Sequence, residues 1–471
     1  MKKYHWILII SALILLTACS TPNNSSNYGD IPLDSPQPYV FGMILEDQLY
    51  YPIVNGQQTG APFRYDQKKT TEDRSTTLVR TSDDELLMFT KNGRQTIATE
   101  VSRFLLDDGK KQVIYCSGQT LYSYNLTTGS SITLIENVSQ YIFSADRETI
   151  AYVNDSNEVI LRTGNAQKVF TVLDQKAGLA GVSNDGKHIY ITVEKYPSCT
   201  LYHYDSNGTI TELLQYDSSN VIDFCFFADK AQFFVSTFNE SYVSTDGQPA
   251  EKLTDYWVEP VPVVYSGNDN MEDLRNWAYW TAKGEILYIA DDPTNPITLV
   301  QNAKTALCDP SGRYIWYVKD NNMMRLDTHD GADAEKNAVL IVEDLIDLTV
   351  HIPSGGEYRD LVDMNMRFSE DCEQIFYFKG KDLYLLDAMN GGEMILIAEN
   401  PSRYVFWLEN ETLFYVKDNT LYSYRNGVTS EIKTNVENIS KLNPGYLYTK
   451  CDGEYFITDG VISYTVTLNT T

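Results

Sequence analysis

Carboxylates, imidazoles and thiols are the groups with which this 471-residue chain could do chemistry. The run Asp327-Thr-His-Asp-Gly-Ala-Asp333 gathers acids around a glycine, as a calcium loop does. Its spacing breaks the alternation of ligands such a loop needs, because Leu326 and Thr328 stand at ligand positions. An ordinary acidic turn is expected there, with no metal. The five histidines are isolated, and His188 and His203 fall in strand-like runs, where a structural role is expected. Six cysteines follow residue 19, at 116, 199, 225, 308, 372 and 451, with no Cys-x-x-Cys. Three bridges are open to them, but single thiols near strands are expected to behave as small apolar residues. No Gly-x-Ser-x-Gly, His-Glu-x-x-His, P-loop or Gly-x-Gly-x-x-Gly occurs. No catalytic residue and no cofactor is therefore expected.

Cys19 is a different kind of thiol. Lys2 and Lys3 precede an apolar run, Trp6–Leu16, that is too short to span a bilayer. Leu16-Thr17-Ala18-Cys19 follows. This resembles the lipobox of bacterial lipoproteins, and the resemblance implies lipidation of Cys19 and cleavage before it. Residues 1–18 read as the signal peptide and 19–38 as a flexible tether rich in Asn, Ser and Pro, leaving 39–471 for the folded body. Two acyl chains anchor stably where one does not. The expected location is the bacterial cell membrane, facing outward from the cytoplasm.

The body repeats one pattern. Residues 141–153, 366–378 and 404–416 each hold two short apolar runs around a polar turn, and Ser183-Asn-Asp-Gly186 keeps the turn. The apolar residues closing the second run are Tyr115, Tyr152, Ile191, Val235, Tyr288, Tyr317, Tyr377, Tyr415 and Tyr448, about 42 residues apart on average. Third runs such as Leu121-Tyr-Ser-Tyr124, Leu201-Tyr-His-Tyr204 and Leu421-Tyr-Ser-Tyr424 follow, then fourth runs such as Ile132–Ile135, Ile297–Val300 and Met394–Ile397. Weaker units sit at Leu49–Val54 and Glu85–Thr90. The expectation is an all-β propeller of four-stranded antiparallel blades, about eight in one ring. Its last strands would pair with N-terminal ones. Two smaller propellers in tandem, splitting near 260–270, are the alternative. Val182-Ser-Asn-Asp-Gly186 with Leu201-Tyr-His-Tyr-Asp205, and Phe368-Ser-Glu-Asp371 with Leu383-Tyr-Leu-Leu-Asp387, resemble the TolB-like and WD-repeat-like propeller superfamily. That resemblance implies a fold and a habit of binding, not a reaction.

Two unit spacings are long, 53 and 60 residues, and place insertions before Trp277 and before Met366. Both are expected between blades and on one face. The candidate binding residues are Trp257, Glu259, Asp269, Glu272 and Asp273 in the first, and Asp347, Glu357 and Asp360 in the second. Long loops on a rigid scaffold are where binding usually sits. The formal charge of −27 disfavours nucleic acid and anionic lipid surfaces. The expected partners are the membrane, through the lipid, and a basic protein or envelope component. A solute or glycan receptor, and a propeller-fold lyase or glycosidase, are the alternatives.

Overall fold

The computed structural model describes residues 41–469 except 72, 145, 165, 171–176, 196, 228–230, 256–257, 261–277, 282–283, 289–295, 310, 346–365, 370, 403–404, 409–411 and 444. Among these residues the chain is all-β, with antiparallel strands that follow one another up and down. Eleven sheets form in chain order, spanning residues 41–58, 65–98, 101–135, 138–170, 177–217, 221–254, 258–300, 305–342, 366–398, 405–434 and 436–466. Ten have four strands and the first has three. They are called sheets one to eleven.

Eleven sheets stand where about eight blades were expected. The weak units at Leu49–Val54 and Glu85–Thr90 each belong to a sheet of their own, the first and the second. Eight of the nine marker residues lie on second strands; Tyr288 lies on the third strand of sheet seven. The third and fourth runs read from the sequence fall on third and fourth strands, with Met394 just ahead of its strand, Ile395–Ala398.

Period-two alternation explains the stack. On Gln112–Ser117, Val113 and Tyr115 pack with sheet two while Ile114 and Cys116 pack with sheet four. On Tyr314–Lys319, Ile315 and Tyr317 face sheet seven, and Trp316 and Val318 face sheet nine. Gln374–Lys379 and Thr412–Lys417 divide in the same way. A strand buried on both faces reads as a near-continuous apolar run, which is how these second strands appear in the sequence. Each fully buried Leu, Ile or Phe side chain contributes about 1.5–3 kcal/mol.

First strands lie where neighbouring sheets converge. Gln67, on the first strand of sheet two, donates through Nε2 to Phe104 O (2.8 Å) and accepts from Phe104 N (3.2 Å) on the first strand of sheet three. Arg103 reaches the carbonyl of Tyr141 in sheet four, and Gln140 accepts from Leu179 N of sheet five at 3.1 Å. Fourth strands lie outermost and carry exposed apolar residues such as Ile132, Val169, Ile395 and Val428.

Sheet one packs on sheet eleven. Ile44, Tyr51 and Ile53 share a core with Leu442, Tyr446, Tyr448 and Ile457. The Tyr448 hydroxyl accepts from Leu45 N (3.2 Å), and Asn443 Nδ2 donates to Phe41 O (2.6 Å). Glu46 accepts from both Lys450 Nζ (2.8 Å) and the Tyr455 hydroxyl. Glycine is required at 42, where a Cβ would sit 2.2 Å from Leu442 Cγ. Two tandem rings split near 260–270 would not bring these sheets together. Nor is a strand exchanged between the two termini; sheet eleven is completed by its own four strands.

Tyr377→Ala and Phe376→Ala each empty a buried position on opposite faces of one strand. Each should lower the unfolding free energy by about 3–5 kcal/mol, whereas Ile395→Ala on an exposed outer strand should change it by under about 0.5 kcal/mol. Urea unfolding separates the cases; equal midpoints for all three would refute the two-faced stack.

Candidate functional site

The strand order regroups the candidate binding residues. Sheet six ends at Thr254 and sheet seven begins with Val258–Pro260, which pairs with Ala278–Thr281. Residues 261–277 therefore join the first and second strands of one sheet, not two blades. The reason is that Val258-Glu-Pro260 is itself the first strand, while the strand beginning at Ala278, after Trp277, is the second. Trp280 pairs in backbone register with Glu259 on that second strand. The second long stretch, 343–365, does lie between sheets, from Val342 to Met366.

In an up-and-down sheet, the link to the next sheet and the turn between strands two and three share one end. The link between strands one and two leaves from the other. The two stretches thus begin at opposite ends of the sheets, which overturns the expectation of a shared face. Thr254 and Val342, the last residues of sheets six and eight, both close a fourth strand, and Trp257 follows Thr254 in the sequence. Pro260, after which 261–277 follow in the sequence, closes a first strand. Glu259 lies on the first strand of sheet seven. Trp257, Asp269, Glu272, Asp273, Asp347, Glu357, Asp360 and Cys19 lie outside the described residues.

The start of 343–365 is firmly seated. Leu345 N donates to Asn321 O (2.7 Å), and Asp344 N donates to Asn322 Oδ1 (3.1 Å). The Leu345 side chain is buried in the core between sheets eight and nine. Glu343, Asp344 and Asp320 are exposed around it. Lys304 Nζ bonds Asn321 Oδ1 at 2.6 Å. An acidic shoulder on a rigid base is the described part of this surface.

The opposite end is built from a repeated turn. Ser183 Oγ donates to Asp185 (2.6 Å) and accepts from His188 N (3.1 Å), while Asp185 accepts from Lys187 N (3.0 Å). Ser144 with Asp146, Ser369 with Asp371 and Thr71 with Asp73 repeat the arrangement. The residue after each of these acids has positive φ: Gly186, Arg147, Cys372 and Arg74. Burial alone would raise Asp185, but the Ser183 hydroxyl and the Lys187 amide hold its carboxyl down to about 2. These acids are committed to turns rather than to a ligand.

The Asp327–Asp333 run forms a 3-10 turn. Burial opposes ionisation of Asp327, and Arg313 (2.9 Å) with the His329 amide more than offsets it, lowering the carboxyl from its ordinary value. Cys116, Cys199, Cys308, Cys372 and Cys451 are buried free thiols. Burial pushes Cys372 up to about 12. The Cys225 side chain lies outside the described residues. His188 and His203 are not isolated: His188 Nδ1 and His203 Nε2 face each other at 2.9 Å. Hairpin register was the signal for this contact, since residues 188 and 205 are opposed and 203 lies on the same face.

No family model matches the sequence, and no curated protein does. Among solved structures, the chain is similar to the extracellular domain of a one-component system from B. thetaiotaomicron, at 11% identity, 93% of this chain, 78% of that one and a TM-score of 0.28. It is similar to PorZ, a surface component of the type-IX secretion system of Porphyromonas gingivalis, at 10% identity, 86% and 59% coverage and a TM-score of 0.30. It is similar also to a eukaryotic initiation factor, at 13% identity, 84% and 96% coverage and a TM-score of 0.36. A functional reading rests on the chain's own residues. No helix among the described residues is long and apolar enough to cross a membrane.

Leu345→Ala should cost about 2–5 kcal/mol of stability, and Asp344→Ala under about 0.5. Thermal or urea unfolding checks this. An unchanged midpoint for Leu345→Ala would mean that the stretch after sheet eight is not seated in the core.

Proposed function

We propose that this protein is a lipid-anchored, propeller-like binding module facing outward from the cytoplasm, and that it holds a basic protein or a basic segment of an envelope component. The observation that carries the reading is the rigid, acidic base of residues 343–365. Most links between described strands are short, and this one departs from a buried leucine with exposed acids around it. Six acids against one arginine lie in residues 343–365. Trp257, in the sequence between sheets six and seven, is the proposed apolar anchor, and rim charge supplies orientation and on-rate. Asp269, Glu272 and Asp273, between the first and second strands of sheet seven in the sequence, are a separate acidic set in this reading. The resemblance of Leu16–Cys19 to a lipobox supports the anchor. In this reading the acids face outward from the cytoplasm, where repulsion from anionic headgroups disfavours contact with the lipid.

Intact mass of the mature chain should show a lipidated Cys19, and Cys19→Ala should be released or stay unprocessed; an unmodified Cys19 thiol would sink the anchor. Recovery of partners from the native envelope should fall when residues 346–362 are deleted. It should fall also with Trp257→Ala, and more in high salt than in low for the wild type. Asp269→Asn with Glu272→Gln, at the opposite end, should leave those partners in place. Unaltered recovery with the folded deletion variant would refute the surface.

A further inference from the structure

Sheet five meets sheet six through a face that carries two histidines. His188 opens the second strand of sheet five, Tyr190 follows two residues on, and His203 lies directly opposite Tyr190. The three rings therefore share one face. The imidazoles stack with centroids 5.0 Å apart at 27°, and the Tyr190 ring lies 5.3 Å from His203. Sheet six closes over them. The Tyr190 hydroxyl donates to Ala231 O (2.6 Å) and accepts from Gly247 N (3.1 Å). Gly247 has φ +71°, and a Cβ there would sit 2.1 Å from the His203 ring. His203 is 5% exposed.

Sheet three offers the comparison within the same chain. Its register pairs Gln112 with Asn125 and Ile114 with Ser123, as His188 pairs with Asp205 and Tyr190 with His203 in sheet five. There Gln112 Nε2 donates to Ser123 Oγ, a contact without a titratable group. In sheet five the facing nitrogens hold one proton between them when the pair is neutral. A second proton would set two donors against each other at 2.9 Å and put charge between two sheets. The acids near it are Asp205, at the end of the His203 strand, and Asp246, from the turn of sheet six; Lys187 is paired with Asp185.

We propose that the His188–His203 pair makes the joint between sheets five and six acid-sensitive: proton uptake there forces the rings apart and lifts the Gly247 turn from His203. Burial first, and then His188, hold His203 down to about 4 against the pull of Asp205 and Asp246. The closed joint thus keeps His203 neutral, and the opened joint takes up its proton near the ordinary value of 6.5. Its contribution is complete above that value and is lost as pH falls towards about 4. At pH 5.5 the opening equilibrium should rise about tenfold.

Hydrogen exchange at residues 188–190 and 245–251, corrected for intrinsic rates, should show that rise between pH 7.5 and 5.5 in the wild type. The double variant His188→Gln/His203→Ser, which copies sheet three, should remove it while sheet three exchanges alike in both. The same pH dependence in the folded double variant would overturn the proposal. Histidine ring resonances of the wild type give an independent reading should the variant not fold. His203 should titrate well below 6.5, and titration of His203 at that ordinary value would overturn the proposal equally.

Discussion

A second strand with apolar residues at consecutive positions cannot satisfy itself within one sheet. Because successive side chains point to opposite faces, Val113 and Tyr115 bury against one neighbour only if Ile114 and Cys116 bury against another. Among the described residues, shared cores join neighbouring sheets from one to six and from seven to eleven, and sheet one meets sheet eleven through a shared core and the contacts of Glu46, Lys450 and Tyr455. Burial on both faces also fixes register, since a slip of one residue would exchange the two neighbours for every side chain on the strand.

This constraint decides where variation is tolerated. First strands are laced to one another by Gln67, Arg103 and Gln140, and second strands are closed in on both sides. Outer strands and links carry neither burden. The long stretches 261–277 and 343–365 are inserted at links, and exposed apolar residues gather on fourth strands. The interior is fixed on both faces, whereas the ends can vary without disturbing the stack. Serine–aspartate turns keep one end tight by satisfying their own backbone amides.

The joint between sheets five and six departs from the pattern. Where sheet three has Gln112 against Ser123, sheet five has two imidazoles, and a glycine is required above them. The scaffold therefore holds one titratable contact in a place where a neutral one also serves. Its position under a turn, rather than in the middle of the stack, lets it open locally without unfolding its neighbours.

Alternation and turn chemistry made much of this fold legible in the sequence. The four-run unit, the second-strand markers and the Ser-x-Asp turns are local patterns with one physical solution, paired antiparallel strands. The lipobox-like Leu16–Cys19 and the acid excess are likewise local facts of composition. The number of sheets was not local: Leu49–Val54 and Glu85–Thr90 look weak alone and become sheets because neighbours bury them. Nor was the end from which each long stretch departs. Val258-Glu-Pro260 is too short and too polar to declare itself a strand, and its pairing with Ala278–Thr281 supplies what its own propensity lacks. The meeting of His188 with His203 likewise needed the hairpin register and the closing turn of sheet six. Sequence determines the units through local periodicity; packing between units decides how many there are, which ends they present and which buried groups meet.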